Sequence, residues 1–449
     1  MAEIQIPEEY EGEEEIEILF DEDDNLVDPS LMDSDQQTEF NDNLAEFLDS
    51  STLSEISSQV LTNFQNDLDS REDWYETFKD GLELLGIQND PRSEPFEGAS
   101  GVYHPLLAEA VTHFQAQAYK ELLPANGPVD TKVMGASSDP KAMQANRVKD
   151  FMNYQLLYKM EEYDPEMDQM LFFLPLAGSA FKKCYFDPAI GRIVSRFIKA
   201  EDLVVPYSAT DLHTSPRITH RMSMTENDLL KLQLSGFYID TDMNAPMYGG
   251  DNDSVQSKID EIDGVTRTGD QHDFTLLECH TELDIEGFEH TDSEGEPTGL
   301  ALPYIVTVCK DTNDVLAIRR NYVETDPMRK KVEYFTHFKF LPGLGFYGFG
   351  LIHMIGGVTK SATAILRQLI DAGTLANLPA GFKARGLNIQ RSDDPVQPGE
   401  WRDVDTPGGT IRDSFMPLPY KEPSPTLANL LGLLVESGQR FASVMEQNT

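Results

Sequence analysis

FLPGLGFYGFGLIHMIGGVTKSATAILRQLIDAGTL, residues Phe340 to Leu375, decides how the rest of the chain reads. A glycine- and aromatic-rich loop, Gly343 to Gly350, runs straight into a segment whose Ile355, Val358, Ala362, Ile365, Leu366, Leu369 and Ile370 recur at helical spacing. A helix from Leu351 to Ala376 would be about 39 Å long at ~1.5 Å per residue, well beyond the usual three or four turns. That length predicts a strut. Its ionisable side chains, His353, Lys360, Arg367 and Asp371, are expected to diverge rather than converge on one face as an active site would. Its small residues, among them Gly357, Ser361, Ala364 and Ala372, would let backbones approach closely, as in a helix packed against copies of itself in an oligomer. A buried core helix of one domain fits the same pattern.

At 449 residues the chain is long enough for two or three domains, each with its own core. A hydrophobic content of 40% and a mean hydropathy of -0.39 describe a soluble globular protein. Without a long apolar run or a basic segment leading into one, neither a membrane span nor a signal peptide is expected, and the chain reads as cytoplasmic. Cys184, Cys279 and Cys309 are isolated and form no CxxC pair, so they read as buried, structural thiols. The net charge of -43 opposes nucleic-acid binding, which rests on neutralising phosphates. The acid is unevenly spread, however. No lysine or arginine precedes Arg71, whereas from Leu351 onward nine basic residues face ten acidic ones, and a polyanion would be met there.

Residues 1 to 66 read as an acidic, disordered arm in which Leu44–Leu48 and Ile56–Phe64 are short amphipathic pieces. From Asp67 four helices are expected in succession, through Trp74 to Leu85, from Pro105 to Ala118, from Asp139 through Val148, Phe151 and Leu156, and from Asp164 to Leu176. A hairpin follows at Lys182–Phe186 and Arg192–Ile198, then a short helix at Thr225–Leu234 and a polar loop at Tyr248–Thr268. Four antiparallel strands, beginning near Phe274, Leu302, Asp314 and Val332, lead into the strut. The fold class is α+β. Beyond the strut comes a small β-containing stretch, and Ser424-Pro425 opens a last helix.

No reactive constellation emerges. Gly343-Leu344-Gly345-Phe346-Tyr347-Gly348 matches GxGxxG, but bulky Phe346 and Tyr347 crowd the pyrophosphate position and no alternating βαβ pattern surrounds it. Gly356 to Ser361 lacks the glycine a P-loop places before its lysine. His213, His220 and the Glu161-Glu162 pair stand without catalytic partners. The expectation is a protein without catalytic residues, cofactor or metal.

Four strings resemble the portal proteins of tailed bacteriophages: PFEGASGVYHPLLAEAVTHFQAQAYKELLP (95–124), LPLAGSAFKKCYFDP (174–188), EDLVVPYSATDL (201–212) and FYGFGLIHMIGGVTKSATAILRQLIDAGTLANLPAGFKARG (346–386). The resemblance runs from about Asp67 to the end and implies a portal fold: a helical and β wing at 67–350, a first stem helix at 351–377, a clip at 378–422 and a second stem helix at 423–449. The tunnel loop and crown of the family would lie beyond Thr449. It further implies a dodecameric ring at a capsid vertex of the virion, assembled in the host cytoplasm. Double-stranded DNA would be packaged and ejected through that ring. Its partners would be the terminase large subunit, head-completion and tail-adaptor proteins, scaffolding and capsid proteins, with no membrane. Twelve helices of ~10 Å diameter side by side enclose a hole of roughly 28 Å, wide enough for a duplex. On this view Lys360 and Arg367 face the channel, and Lys383, Arg385, Arg391, Arg402 and Arg412 dock partners at the clip. Gly357, Ser361, Ala364 and Ala372 join stem helices. The alternatives are a soluble nucleotide-binding enzyme using the Gly343–Gly348 loop, and an acidic protein-binding scaffold.

Overall fold

The computed structural model describes residues 39–87, 92–135, 138–187, 190–241, 254–264, 273–291, 296–377, 381–383, 388–389, 404–405, 415–417 and 421–447. The chain divides into two compact units, Met1–Asp42 and Asn43–Thr449. Of the first, residues 39–42 are described, a turn in which the Asp42 amide donates to Glu39 O at 3.1 Å. The second is a mixed helix-and-sheet fold on two open sheets, of three and five strands, with two two-stranded ladders.

Helix α1 (Ser50–Asp69) starts where the Asp49 carboxylate accepts the Thr52 amide, satisfying one of the free N–H groups of the first turn. Its Ile56, Val60 and Phe64 are one turn apart and buried; Ile56 and Val60 pack with Val306, Val308 and Ile318, and Phe64 with Val204 and Leu277. Ahead of it, Asn43 receives the Ile318 amide on Oδ1 at 2.9 Å and donates from Nδ2 to Leu316 O at 3.1 Å. Residues 43–66, expected as part of a disordered arm, are therefore ordered, and residues 1–38 of that arm lie outside the described residues. An apolar stripe at i, i+4, i+8 buries enough surface to offset an acidic average composition.

Helices α2 (Glu72–Leu82), α3 (Leu106–Leu122), α4 (Asp139–Tyr154) and α5 (Tyr163–Ala177) follow. All but α4 contribute to the main core, where Phe78, Leu107, Val111, Leu171 and Leu174 meet Phe181 and Ile198 of the three-stranded sheet. Strands β1 (Ser179–Asp187) and β2 (Arg192–Lys199) are the expected hairpin. β3 (Leu203–Val204) and β4 (Arg217–Thr225) then open the second sheet, and α6 (Glu226–Leu234) follows under a Thr225 cap. The stretch expected as a polar loop contains α7 (Ser254–Asp263). It is held to α2 because Val255 is fully buried, its amide donates to Tyr75 Oη, and Lys258 pairs with Glu83 at 2.8 Å.

β5 (Asp273–Leu283), β6 (Leu302–Cys309) and β7 (Val315–Arg320) complete an antiparallel sheet of order β3-β4-β5-β6-β7. β8 (Phe335–Lys339) departs from expectation. It leaves that sheet and pairs antiparallel with β1, giving the order β2-β1-β8. α8 (Leu351–Asn377) follows at once. Beyond it, β9 (Gly381–Lys383) pairs with β12 (Phe415–Pro417) and β10 (Asn388–Ile389) with β11 (Val404–Asp405). α9 (Pro425–Gln447) then packs along α8. Pro423 lies beside Gly373, near the end of α8, so α9 runs back along its partner. Cys279 and Cys309 are buried as expected, but Cys184 is exposed. It lies past the buried half of β1, on the same side of the strand as the exposed Phe186.

Candidate functional site

The Gly343–Gly350 loop is packed into the body rather than open. A Cβ on Gly350 would lie 2.3 Å from Leu176 O, and one on Gly348 would lie 2.4 Å from Gly178 O. Gly178 has φ +88° and ends α5. Three glycines thus let the loop press against the α5–β1 corner, and the Gly348 amide donates to Ser179 Oγ at 2.8 Å. Phe346 is buried against Phe181 and His337, whose rings also touch each other. The Tyr347 ring stacks on Trp74 with centroids 4.7 Å apart, and its hydroxyl donates to Leu203 O at 3.0 Å.

Arg71 closes this node. Nη1 donates to the carbonyls of Ala200 and Leu203 and to Tyr347 Oη at 2.8–3.1 Å, while Nη2 donates to Glu201 O at 2.5 Å. A planar fork with five donors suits such a cluster of carbonyls. The neighbouring Glu201 carboxylate is buried, has no hydrogen-bond partner among the described residues, and lies 3.9 Å from Lys199 Nζ. Burial, with Asp202 close by, pushes its pKa up to about 7.

Helix α8 begins beside this node. The Gly350 amide donates to His353 Nδ1 at 3.1 Å, and burial lowers the histidine pKa, which keeps the ring neutral and able to accept. Further along, the polar groups of α8 converge, contrary to expectation. Thr363, Arg367 and Asp371 are one turn apart on one stripe, and together they hold the backbone of residues 100–104. Thr363 Oγ1 accepts the His104 amide at 3.0 Å. Arg367 donates from Nε to Val102 O at 2.9 Å and from Nη2 to Gly101 O at 3.2 Å, with its guanidinium over the Tyr103 ring. Asp371 Oδ1 accepts the Ser100 amide at 2.7 Å. Arg367, expected to face a channel, has its guanidinium hydrogen-bonded to this loop of its own chain.

Between α8 and α2 lies a groove of about 910 Å³. Asp80, Glu83 and Tyr103 form its sides, and Gly356, Gly357, Lys360, Ala364 and Ala372 line the α8 side. Lys360 is exposed on this wall. Of the four expected stem contacts, Gly357, Ser361 and Ala364 are exposed and Ala372 is half-buried, all on α8. Lys383 lies in β9, but its side chain is outside the described residues, as are Arg385, Arg391, Arg402 and Arg412 altogether.

A second polar cluster joins the two sheets. Lys183 of β1 donates to both Glu278 oxygens at 2.6 Å, and His280 Nε2 is 2.8 Å from Glu278 Oε1. Burial alone would raise the Glu278 pKa, but the Lys183 charge and the His280 hydrogen bond hold it well below the usual range. His220 is pushed down to about 4 by burial. This network is enclosed and sits away from the groove; Lys183, Glu278 and His280 are spent on one another, while the buried His220 Nδ1 has no hydrogen-bond partner among the described residues.

Sequence reading missed Thr363 as a partner of Arg367 and Asp371, although their i, i+4, i+8 spacing was available. Among the described residues no group of three or more His, Cys, Asp or Glu side chains could hold a metal ion, and no helix is long and apolar enough to cross a membrane. No family model and no curated protein sequence matches the chain.

Proposed function

We propose that the chain is the ring-forming subunit of a portal at a viral capsid vertex, acting as a conduit for double-stranded DNA rather than as an enzyme. The observation that carries this reading is α8, 27 residues long, backed along its length by α9 and carrying Gly357, Ser361 and Ala364 exposed on one flank. At ~1.5 Å per residue it spans about 40 Å. A long helical hairpin with uncovered small residues suits side-by-side packing of identical copies. The resemblance of residues 95–124, 174–188, 201–212 and 346–386 to portal proteins supports the same reading. With Arg367 engaged by residues 101–103, Lys360 is the exposed cation of this helix, so a channel lined by it would hold phosphates weakly and let a duplex slide.

On this reading the segment 378–422, with its five basic residues Lys383, Arg385, Arg391, Arg402 and Arg412, docks the terminase large subunit and later the head-completion and tail-adaptor proteins. Scaffolding and capsid proteins meet the body, and the assembly resides in the virion. The nucleotide-enzyme alternative requires free amides in the Gly343–Gly348 loop. Ser179 Oγ takes the Gly348 amide, and buried Phe346 and half-buried Tyr347 fill the space, which weighs against it.

Electron microscopy and native mass spectrometry of the purified full chain test the proposal. Closed rings with a central hole are expected from the wild type and from Lys360→Gln. Ala364→Trp should stay folded by circular dichroism yet fail to close rings, because overpacking costs about 1–3 kcal/mol at each site. Wild-type monomers that bind nucleotide would overturn the reading.

A further inference from the structure

Helix α4 stands apart from the other helices of the body. Asn153 is its one buried residue, and it does not face the core. Asn153 Oδ1 accepts the Val129 amide at 2.9 Å and Nδ2 donates to Val129 O at 3.0 Å, while Thr131 Oγ1 donates to Ala145 O and Lys149 pairs with Asp130. The extended segment from Gly127 thus covers one side of the helix. Another side is bare. Met143, Arg147, Phe151, Tyr154 and Tyr158 recur at spacings of four, four, three and four, which places them on one stripe that continues through the π-turn Gln155–Lys159. Met143 is 68% exposed, Phe151 61% and Tyr158 71%, and the Tyr154 and Tyr158 rings stack on each other.

Methionine, arginine and aromatic side chains are the types enriched where proteins meet, and a row of them facing water is not accounted for by folding of the single chain. Each offers on the order of 100 Å² of apolar surface. Five such side chains supply much of the ~800 Å² that one partner contributes to a standard interface.

Charge selects the occupant. Residues 127–160 carry five basic and three acidic side chains, in a chain of net charge -43. Lys141 and Arg147 are exposed on the helix. This is a positive segment on an otherwise strongly acidic molecule, so the surface it fits best is the acidic surface of another copy. Two chains of net charge -43 also repel one another, so the contact rests on the α4 stripe meeting acidic side chains locally rather than on overall charge.

We infer that the α4 stripe Met143–Arg147–Phe151–Tyr154–Tyr158 is a self-association surface that docks on an acidic face of a second copy of this chain. The inference rests on the oligomeric reading above, but uses a helix remote in sequence from α8 and has its own test.

The full chain is followed by light scattering and native mass spectrometry, wild type beside a Phe151→Ser/Tyr158→Ser double variant and Arg147→Glu. Because these side chains are exposed, circular dichroism should be unchanged. Self-association should weaken roughly tenfold or more for both variants. Hydrogen exchange of wild-type residues 143–158 should slow only at concentrations where the chain assembles. Variants that assemble like wild type, with equal exchange of α4 in monomer and assembly, would overturn the inference while leaving rings intact. Dimers that form through α4 without closing would retain it and sink the ring. Wild type that stays monomeric at every concentration removes both. If the variants assemble normally but lose binding to a fluorescent duplex oligonucleotide, the stripe belongs to nucleic acid and the inference fails.

Discussion

Asp371 accepts the backbone amide of Ser100 at 2.7 Å across 271 positions of sequence. That bond is the outer rung of a three-rung ladder, with Arg367 and Thr363 below it, which fastens α8 to the segment entering α3. The long helix is therefore held by its polar side chains as well as by its apolar stripe. Removing one rung leaves a half-buried amide without its acceptor.

Asp371→Ala should lower unfolding stability by about 1–3 kcal/mol, the cost of an orphaned donor, whereas Asp371→Asn keeps an oxygen in place and should recover most of the loss. Urea denaturation of the two variants beside wild type measures the difference. Equal stability of Ala and Asn variants would show that the rung contributes nothing.

The glycine corner makes a paired prediction. A methyl group on Gly350 would meet Leu176 O at 2.3 Å, while one on Gly345 meets nothing within 4 Å. Gly350→Ala should therefore lose about 1–3 kcal/mol through overpacking against rigid backbone, with Gly345→Ala close to neutral. Thermal melts of both variants report on the same loop, so a similar loss from each would refute the close-packing account.

Glu201 gives stability a pH dependence of a particular sign. With its pKa raised from 4.5 to about 7 in the folded state, the native protein holds a proton that the unfolded chain has released between those values. Its contribution is thus fully present below pH 4.5 and lost as pH rises through about 7. His220, lowered to about 4, acts oppositely, adding stability as pH rises toward its ordinary value of 6.5. Glu201→Gln isolates the first effect. Wild type should lose on the order of 1–3 kcal/mol relative to this variant between pH 5 and 8. A constant difference in urea midpoint across that range would place the Glu201 pKa at its ordinary value.

Much of the fold was legible wherever one segment carried its own signal. The expected helix from Leu351 to Ala376 is found as Leu351–Asn377, and the hairpin around Gly191 is present, because apolar periodicity and turn residues act locally. Strand partnership was not legible in the same way. The run ending at Lys339 reads like its predecessors, yet it pairs with β1 more than 150 residues earlier. The amphipathic piece Ile56–Phe64 was legible, but the arm's acidic composition placed it among disordered residues, whereas it packs on the five-stranded sheet. The polar ladder of α8 was half legible. Its three side chains have helical spacing, but their partners are backbone groups, which leave no mark on a sequence. Helix α4 illustrates the reverse: the helix expected through Val148 and Phe151 is present, but both side chains are exposed in the folded chain, which the sequence did not show.

The exchange of β8 between sheets has a mechanical consequence. β8 lies against β1 over five register pairs, Ser179↔Lys339 to Lys183↔Phe335, and the loop after it is pinched shut by the Phe349 amide donating to Leu341 O at 3.0 Å. A pull along α8 thus reaches β8 with little slack and loads that ladder in shear, so its bonds must yield together instead of peeling one by one. From Lys183 the load passes through the Glu278 carboxylate into the five-stranded sheet. The molecule is wired so that tension on α8 is shared by both sheets before any single strand can let go.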